Sequence, residues 1–338
     1  MFWGEHLKRS RAFACLFGVF ALASPVVVSP GVAQAATCQY NRQDLPVPAG
    51  SGHVSTMGSS TNNSRVVGQV MKGQFGRGAY WVNSALREMA APASSGNHTI
   101  PYAINNTSVV AGFEQEDRGL QMPLFKAFRY ENGAYQFLET DAGYSSKAYA
   151  INDAGDVLGF QFSGTNQFSG DVYLWPRTGA RKRIYSGTPI GITAQRKIVV
   201  DTGWVTVVID ADSGAVLELP ENASYVTLDN DHVFQGVYGD TGEWNVIEYD
   251  LNGVPVATHP GAMQAFGRNG SGTVFGKYQA STGPLPALWR KSGRTDVVAD
   301  HLPFDSTYSD ITDAATLIGT YSGADNVARP SRWLWVCS

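Results

Sequence analysis

The stretch that decides the fold is Tyr149-Ala150-Ile151-Asn152-Asp153-Ala154-Gly155-Asp156-Val157-Leu158-Gly159. It contains a short apolar segment, a tight turn and a second apolar segment that ends in glycine. The turn residues either bond their own backbone or accept a positive φ. The same pattern occurs in Tyr102-Ala103-Ile104-Asn105, where Gly112 follows seven residues after the asparagine. Two copies with the same internal spacing predict a repeated pair of strands.

Weaker copies of this pattern continue along the chain. Each begins with Asn, Asp or Thr and has glycine seven residues later, except that the copy starting at Thr193 has Val200 there. The leading residues are about 36 to 47 residues apart, which is the length of one β-propeller blade. The seven leading residues are Thr61, Asn105, Asn152, Thr193, Asp229, Asn269 and Thr312.

Each copy can be completed to four strands. An aromatic segment such as Tyr173-Leu174-Trp175 follows the second strand, and a hairpin turn such as Glu131-Asn132-Gly133 leads into a short fourth strand. Four short strands in every ~40 residues predict an all-β fold, a seven-bladed β-propeller with four-stranded blades. The composition agrees, with 37 glycines and only 16% charged residues, against about 25% in an average soluble chain.

The two ends of the chain predict how the ring closes. Only enough residues for three strands follow Thr312, so we expect the N-terminal strand, including Asn41 to Val47, to complete the last blade. That closure brings Cys38 beside Cys337 and predicts a disulfide bond, because paired cysteines are usually bridged in an oxidising compartment. Two separate free thiols are the alternative.

Residues 1–35 have the pattern of a secretory signal peptide. Basic residues at positions 8, 9 and 11 precede an apolar run from Ala12 to Val28, and Ala33-Gln34-Ala35 supplies a small-x-small cleavage site. The run is shorter than the ~20 residues of a membrane span, and it contains Pro25. We therefore predict a secreted, extracellular protein whose residues 36–338 form a single propeller domain, with no membrane segment after cleavage.

The second and third copies resemble the HAF-repeat extracellular proteins. The resemblance rests on Ala150 to Gly159 and on Ala103 to Gly112, which is followed by Lys126-Ala127-Phe128-Arg129-Tyr130. The His-Ala-Phe that names the family is here Lys126-Ala127-Phe128, so the histidine is absent. The resemblance implies an exported, propeller-like repeat protein, but it implies no reaction and supplies no catalytic residues.

Propeller topology sorts the connections onto two faces. The turns between strands one and two and between strands three and four are short and share one face. The connections between strands two and three and between blades share the other, loop-rich face, and the longer ones include Glu114 to Pro123, Gln161 to Gly170 and Gln279 to Pro286. Variable loops on a rigid scaffold usually carry binding. We therefore expect a monomeric recognition module that binds a carbohydrate or protein ligand on the loop-rich face.

Four histidines fall in predicted blade-to-blade connections on this face. If their imidazoles converge, they form a ligand-binding or pH-sensitive site, or hold a transition metal. The alternative is that they point outward separately. No compact ligand spacing such as His-x-x-x-His supports a metal, so no cofactor is predicted. The four residues are His53, His98, His259 and His301.

Two tryptophans and one arginine depart from the repeat pattern. Trp204 and Trp244 lie outside or at the margin of the aromatic strand, so they are candidates for stacking on a sugar, while the tryptophans inside that strand are expected to pack between blades. Arg268 takes a position that other copies fill with Ile or Leu. A charge at that position requires a partner, and we expect an ion pair.

Other functions find less support. The net charge of −4 without a basic cluster argues against a nucleic-acid partner. No Gly-x-Ser-x-Gly occurs, so a serine-hydrolase nucleophile is unsupported. Asp210 to Gly214 lacks the later ligands of a calcium loop and is expected to be a hairpin turn. We expect a structural role for Asp229, Asp231 and His232. We expect a solvated surface to be formed by Glu114, Glu116 and Asp117.

Two alternatives to the recognition module remain open. The first is an extracellular hydrolase or lyase that uses carboxylate or histidine residues at the channel mouth. The second is a purely structural interaction protein of an envelope or matrix. An enzyme requires convergent titratable groups with perturbed pKa values, whereas a binding module shows an aromatic or polar groove without them.

Overall fold

The computed structural model describes residues 38–60, 64–90, 97–119, 121–164, 167–220, 223–240, 242–290, 293–296, 307–311, 316–322 and 327–337. Throughout these ranges the regular structure is β-strand, and none of it is a helix that is long and apolar enough to cross a membrane. The predicted signal peptide and the residues Thr61, His301 and Thr312 lie outside the described residues.

The strands pair antiparallel in chain order and form several four-stranded sheets. Four of these sheets each use four consecutive strands. They are β2–β5 (Val54–Ser59, Arg65–Lys72, Phe75–Val82, Ala85–Glu88), β6–β9 (His98–Ile104, Val110–Glu116, Leu124–Glu131, Ala134–Phe137), β17–β20 (Tyr225–Asp229, His232–Tyr238, Trp244–Asp250, Pro255–Pro260) and β21–β24 (Ala262–Arg268, Val274–Ala280, Gly283–Arg290, Gly293–Asp296).

A further sheet has seven strands because one long strand is shared. Its strands β10–β16 are Ser145–Ile151, Val157–Phe162, Gly170–Trp175, Lys182–Ile192, Lys197–Asp201, Thr206–Asp210 and Val216–Glu218. The first half of β13 pairs with β12, and its second half, from Thr188 to Ile192, pairs with β14. Strand β13 is therefore the fourth strand of one four-stranded unit and the first strand of the next.

The last sheet joins the two ends of the described chain. It contains β25 (Thr307–Ile311), β26 (Leu317–Ser322), β27 (Ala328–Cys337) and β1 (Cys38–Asp44). The pairing of β1 with β27 runs from Cys38 opposite Cys337 to Asp44 opposite Ser331. The N-terminal strand thus completes this sheet as predicted, although it begins at Cys38 and ends before Leu45.

The repeat glycine lies opposite a bulge in the first strand of its unit. Gly112 in β7 faces Pro101 at the point where the register of β6 shifts before Ala103. A Cβ atom on Gly112 would collide with the carbonyl oxygen of Ile100. The same bulge and the same collision occur at the repeat glycines 68, 159 and 276. At these four positions the repeat glycine therefore marks the place where two strands approach too closely for a side chain, whereas Gly236 pairs with Tyr225 without a bulge.

Two of the leading asparagines, Asn105 and Asn152, connect neighbouring units. The Oδ1 of Asn152 accepts a hydrogen bond from the backbone N–H of Asp156 at 2.9 Å and closes its own turn, while its Nδ2 donates to the carbonyl of Thr193 in the next unit at 3.2 Å. The Oδ1 of Asn105 likewise accepts from Val109 N–H at 2.9 Å, and its Nδ2 donates to the carbonyl of Asn152 at 3.0 Å. One side chain thus fixes both a turn and the spacing between units.

The aromatic third strand supplies much of the core. Trp81, Trp175, Trp289 and Trp333 are all buried. The Nε1 of Trp81 donates to the carbonyl of Pro46 at 2.7 Å, and the Nε1 of Trp175 donates to the carbonyl of Glu139 at 2.8 Å. In both cases the indole holds the connection that enters its own unit. The packing role predicted for these tryptophans is confirmed.

Candidate functional site

The antiparallel order of each unit places the connections between its second and third strands on the same face as the connections between units. These connections differ in length, and the one between β11 and β12 spans residues 163–169. The prediction of a long loop over Gln279 to Pro286 is wrong. Gln279 in β22 pairs with Pro284 in β23, and the pairing continues to Ala280 and Gly283, so a turn at residues 281–282 joins the two strands.

Three of the four candidate histidines lie in the described residues, and these three do not form the predicted site. The Nδ1 of His53 accepts from the backbone N–H of Ala328 at 3.3 Å, and the Nδ1 of His98 accepts from Gly76 N–H at 3.0 Å. His259 lies within β20 and not in a connection, and its Nε2 is 3.0 Å from Glu248. Their partners are separate: His53 and His98 each accept from the backbone of the preceding sheet, and His259 contacts Glu248 of its own sheet. Among the described residues, no group of three or more His, Cys, Asp or Glu side chains is placed to hold a metal.

The two candidate tryptophans have different surroundings. Trp204 lies in the connection between β14 and β15 and is 81% exposed, and within the described part of the chain no other aromatic ring packs against it. Trp244 is the half-buried first residue of β19. Its ring centroid is 5.1 Å from that of Tyr238 and 5.8 Å from that of Tyr225. The structure therefore places Trp244 in a cluster of rings and leaves Trp204 apart.

This ring cluster borders an open cavity of about 790 Å³ on the loop-rich face, which we call the aromatic groove. It lies between the β17–β20 sheet and the β21–β24 sheet. Tyr238 is 59% exposed and offers its ring to solvent. The residues that line the groove are Tyr238, Gly242, Glu243, Trp244, Pro260, Gly261, Gln279 and Arg294.

Two glycine turns shape the groove. Gly242 (φ 81°) and Gly261 (φ 72°) adopt the left-handed conformation that favours glycine. Gly242 N–H donates to the carbonyl of Gly239 at 3.0 Å, and Gly261 N–H donates to the carbonyl of Trp244 at 2.8 Å. The second bond ties the connection between the two sheets to the first residue of β19. The groove is therefore held by backbone bonds, and the Arg294 guanidinium on its rim lies over the Tyr278 ring at 4.1 Å.

A buried ionic cluster lies in the same pair of sheets and consists of Glu248, His232, His259 and Arg268. The Glu248 side chain is only 3% exposed, and its Oε2 is 3.0 Å from Nε2 of His259. Its Oε1 lies 2.8 Å from Nδ1 of His232 and 3.3 Å from Nε of Arg268. The ion pair predicted for Arg268 is thus confirmed, with Glu248 as the partner.

The environment of Glu248 favours its charged form. Burial acts to raise the pKa of Glu248, but the hydrogen bond with His259 and the electrostatic effects of His232 and Arg268 outweigh it, and the pKa lies below its ordinary value. A carboxylate buried to this degree must be compensated by its neighbours. The cluster is a neutralised connection between two sheets and does not present a free carboxylate to solvent.

The other acidic residues that the sequence analysis considered serve turns and local pairs. Asp229 ends β17 and accepts a hydrogen bond from the backbone N–H of Arg268. The Oδ1 of Asp210 accepts from the backbone N–H groups of Asp212 and Ser213, which confirms the predicted hairpin turn. Glu116 pairs with Lys126 at 2.6 Å. The solvated surface expected for Glu114 is wrong: this residue is buried at 2% exposure, and its Oε1 accepts a hydrogen bond from Nδ2 of Asn97.

A second cavity, of about 450 Å³, lies at the ends of the first strands on the face that carries the short turns. Its lining includes Asn105 and Asn152, whose amides are used in the turns and in the bonds between units. The rest of the lining mixes apolar residues such as Met57 and Phe266 with turn residues such as Gln195. This cavity lies opposite the face on which a site was expected, and the amides of Asn105 and Asn152 in its lining serve the scaffold.

Sequence reasoning missed Tyr225, Tyr238 and Arg294. These residues come from three strands in two sheets, so no local motif contains them. The sequence identified Trp244 because it departs from the register of the aromatic strand, and this departure was the signal in the sequence that pointed to the groove.

No protein-family model and no curated protein sequence matches the chain. Among solved structures it resembles an oligogalacturonate lyase in complex with manganese, with a TM-score of 0.62 and 10% identity over 89% of this chain and 96% of that chain. An oligogalacturonate lyase from Vibrio parahaemolyticus has a TM-score of 0.54 at 10% identity, covering 88% and 96% of the two chains. The WD40 repeats of RRP9 have a TM-score of 0.54 at 10% identity, covering 89% and 100%. At such low identity these likenesses concern the fold alone, and the fold they show is a β-propeller.

Proposed function

We propose that this chain is a recognition module that binds a carbohydrate in the aromatic groove on its loop-rich face. The observation that carries the proposal is the cluster of Tyr225, Tyr238 and Trp244 beside Gln279 and Arg294. Tyrosine and tryptophan offer flat apolar faces with a polar edge. Such faces suit the C–H surface of a sugar ring, and amide, carboxylate and guanidinium groups suit its hydroxyls.

The dimensions of the groove support a small or oligomeric ligand. Its volume of about 790 Å³ falls in the range of ~300–1,000 Å³ that is typical of ligand sites. The walls combine the exposed Tyr238 ring with Glu243, Gln279 and Arg294, which carry both signs of charge. A protein ligand is the competing outcome of the test below.

We also propose a closed ring of seven blades as the scaffold. Two features support it. In each unit the first strand contacts the first strand of the next: β2 with β6, β6 with β10, β10 with β13, β13 with β17, β17 with β21, β21 with β25, and β25 with β2. The pairing of β1 with β27 supplies the fourth strand of the last unit. A closed ring would hold the two sheets that border the groove at a fixed distance from each other.

Export and the family form part of the same proposal. The basic, apolar and small-x-small order of residues 1–35 supports secretion, and the copies at Asn105 and Asn152 support membership of the HAF-repeat proteins. N-terminal sequencing of protein recovered from the medium of an expressing culture is expected to begin near residue 36. Protein that retains residue 1 would overturn the export proposal.

The hydrolase or lyase alternative is less well supported by the geometry. The titratable side chains that line the groove are Tyr238, Glu243 and Arg294, with a single carboxylate among these described residues. The Glu248 side chain of the ionic cluster is 3% exposed with both oxygens near basic groups. A general acid or base must reach the proton that it transfers. The exposed surface offers rings and hydrogen-bonding groups, which favours binding over catalysis.

The test is affinity electrophoresis in native gels that contain one soluble polysaccharide each: xylan, laminarin, galactomannan or polygalacturonate. We expect at least one to retard the wild-type protein. Trp244→Ala should weaken that interaction about tenfold, because an aromatic stacking contact is worth up to ~1.5 kcal/mol.

Trp204→Ala is the matched control, since it removes an exposed tryptophan outside the groove and should leave retardation unchanged. Loss of retardation in Trp204→Ala but not in Trp244→Ala would place the site elsewhere. Absence of retardation by any polysaccharide, together with capture of a peptide on an array by the wild type but not by Trp244→Ala, would identify a protein ligand instead.

A further inference from the structure

A buried lysine lies between two neighbouring sheets, away from the aromatic groove. Lys147 is the third residue of β10, which begins at a connection on the loop-rich face, and it is only 7% exposed. Its Nζ lies 4.3 Å from the ring centroid of Phe125, 5.1 Å from that of Phe113 and 5.5 Å from that of Phe162. These rings come from β8, β7 and β11, so two sheets together form an aromatic cage around one amine.

The polar surroundings of this amine are sparse. Its Nζ donates to the carbonyl of Gln167 at 3.2 Å, whereas an ammonium carries three donors. In the part of the chain that the structure describes, no carboxylate forms an ion pair with Lys147. By contrast, Lys72, Lys126 and Lys197 each lie within 2.8 Å of a carboxylate oxygen. Lys147 therefore lacks the negative charge that holds these other lysines in the ammonium form.

The charged residues on the loop-rich halves of β7 and β8 are engaged elsewhere. Glu114 accepts a hydrogen bond from Asn97, and Lys126 pairs with Glu116. Burial is the cause that lowers the pKa of Lys147 below its ordinary value. The rings attract a cation, but they offer no acceptor for its protons. The neutral amine is therefore more populated at Lys147 than at an exposed, ion-paired lysine.

We propose that Lys147 is a carbonyl-reactive lysine, which binds small apolar aldehydes as a reversible imine. A neutral amine in an apolar pocket is the nucleophile that forms Schiff bases in proteins. The lone pair of Nζ forms the C–N bond to the carbonyl carbon, and the carbonyl oxygen leaves as water with the two protons of the amine. The step needs no oxidant or reductant. The phenyl rings suit an alkyl chain, and the low exposure of the side chain restricts the site to small molecules.

The first experiment traps the imine in the wild-type protein. The protein is treated at pH 7.0 with propanal and cyanoborohydride, whose hydride reduces the imine to a stable secondary amine, and a digest is followed by mass spectrometry. We expect Lys147 to be propylated at least about fivefold faster than Lys197, since each unit by which a pKa falls raises the neutral fraction about tenfold. With 2-naphthaldehyde, which is too large for the cage, the preference should disappear. Propylation of Lys147 no faster than that of Lys197 would overturn the inference.

The second experiment separates nucleophilicity from access. Trace labelling with deuterated acetic anhydride from pH 6.5 to pH 9.5, followed by complete acetylation of the unfolded protein, gives the reactivity of each lysine. We expect the ratio of Lys147 to Lys197 labelling to fall as the pH rises. The neutral fraction of Lys197 keeps increasing at a pH where that of Lys147, with its lower pKa, levels off. A ratio that is constant with pH would show that access alone sets the rate and would refute the proposal.

A matched pair of variants tests the missing carboxylate. Ser145 is half-buried two residues before Lys147, on the same side of β10, and its Oγ accepts from the backbone N–H of Phe125 at 3.2 Å. Ser145→Asp supplies a negative charge beside the cage and should slow propylation of Lys147 to the rate of Lys197. Ser145→Asn has the same shape without the charge and should keep the wild-type preference. Equal propylation of Lys147 in the two variants, both with a cooperative thermal transition, would contradict the role of the cage. The two wild-type measurements decide the proposal if the aspartate variant does not fold.

Discussion

At the scale of single residues, the two clearest copies of the repeat depend on an asparagine amide that both accepts and donates hydrogen bonds. The amide of Asn152 accepts from the backbone of its own turn through Oδ1 and donates to Thr193 through Nδ2. Aspartate can perform the first task but has no donor for the second. The sequence showed the preference for Asn, Asp and Thr at this position, but the bond between units required the fold.

Asn152→Asp tests this double role. The carboxylate can still accept in the turn, but it faces the carbonyl of Thr193 where an N–H had been. We expect a loss of about 1–3 kcal/mol in the free energy of unfolding, the usual cost of leaving a buried polar group unpaired. Urea denaturation measures it. The control is Asn252→Asp in an exposed hairpin turn, and equal losses in the two variants would contradict the role assigned to Asn152.

At the scale of strands, the seven-residue spacing predicted the first two strands of each unit but not the bulge between them. The glycine is required because the register of β6 shifts opposite Gly112, and a register shift leaves no mark in the hydrophobic pattern. The same limit applies to the site. The repeat numbering placed His259 near the loop-rich face, but its place in β20 opposite Val246 turned it toward Glu248. Trp244 was predicted as a single ring, and its tyrosine neighbours come from other strands.

Gly112→Ala tests the bulge. An alanine Cβ would meet the carbonyl oxygen of Ile100 and the ring of Phe128, so the strands must separate. We expect a loss of roughly 1–3 kcal/mol in unfolding free energy, the range for overpacking a core, measured by chemical denaturation. Gly52→Ala is matched in chemistry but meets its neighbours at ordinary contact distance. An equal effect of the two substitutions would show that loss of glycine, and not the close approach, is responsible.

At the scale of the whole molecule, the first and last described strands lie side by side. Cys38 is directly opposite Cys337 in the pairing of β1 with β27. Directly opposed residues of an antiparallel pair have Cα atoms about 4.5–5.5 Å apart, which falls within the range that a disulfide can bridge. Register and sequence position therefore favour the predicted bridge. The disulfide could be predicted from the sequence because the number of strands in each repeat already pairs the strand of Cys38 with the strand of Cys337.

The predicted bridge should be detectable in purified protein without residues 1–35, where Cys38 and Cys337 are the remaining cysteines. We expect mass spectrometry of an unreduced digest to show the peptides of Cys38 and Cys337 linked. Cys38→Ser should lower the unfolding free energy by about 2–4 kcal/mol, and reductant should have no further effect on that variant. Two alkylated thiols in the unreduced wild type would rule the bridge out.

The shared strand β13 has a consequence for how this architecture tolerates rearrangement. Most neighbouring units are joined by a connection that can be lengthened or cut, but between β12 and β14 the backbone passes from one unit into the next without leaving the hydrogen-bonded ladder. New termini made by circular permutation, or a guest domain inserted at this point, would break pairing in both units at once. The same operation in the residues between β16 and β17 would spare both. Strands β10 to β16 thus form one continuous sheet, and insertions are expected to be tolerated in its turns and loops rather than within β13.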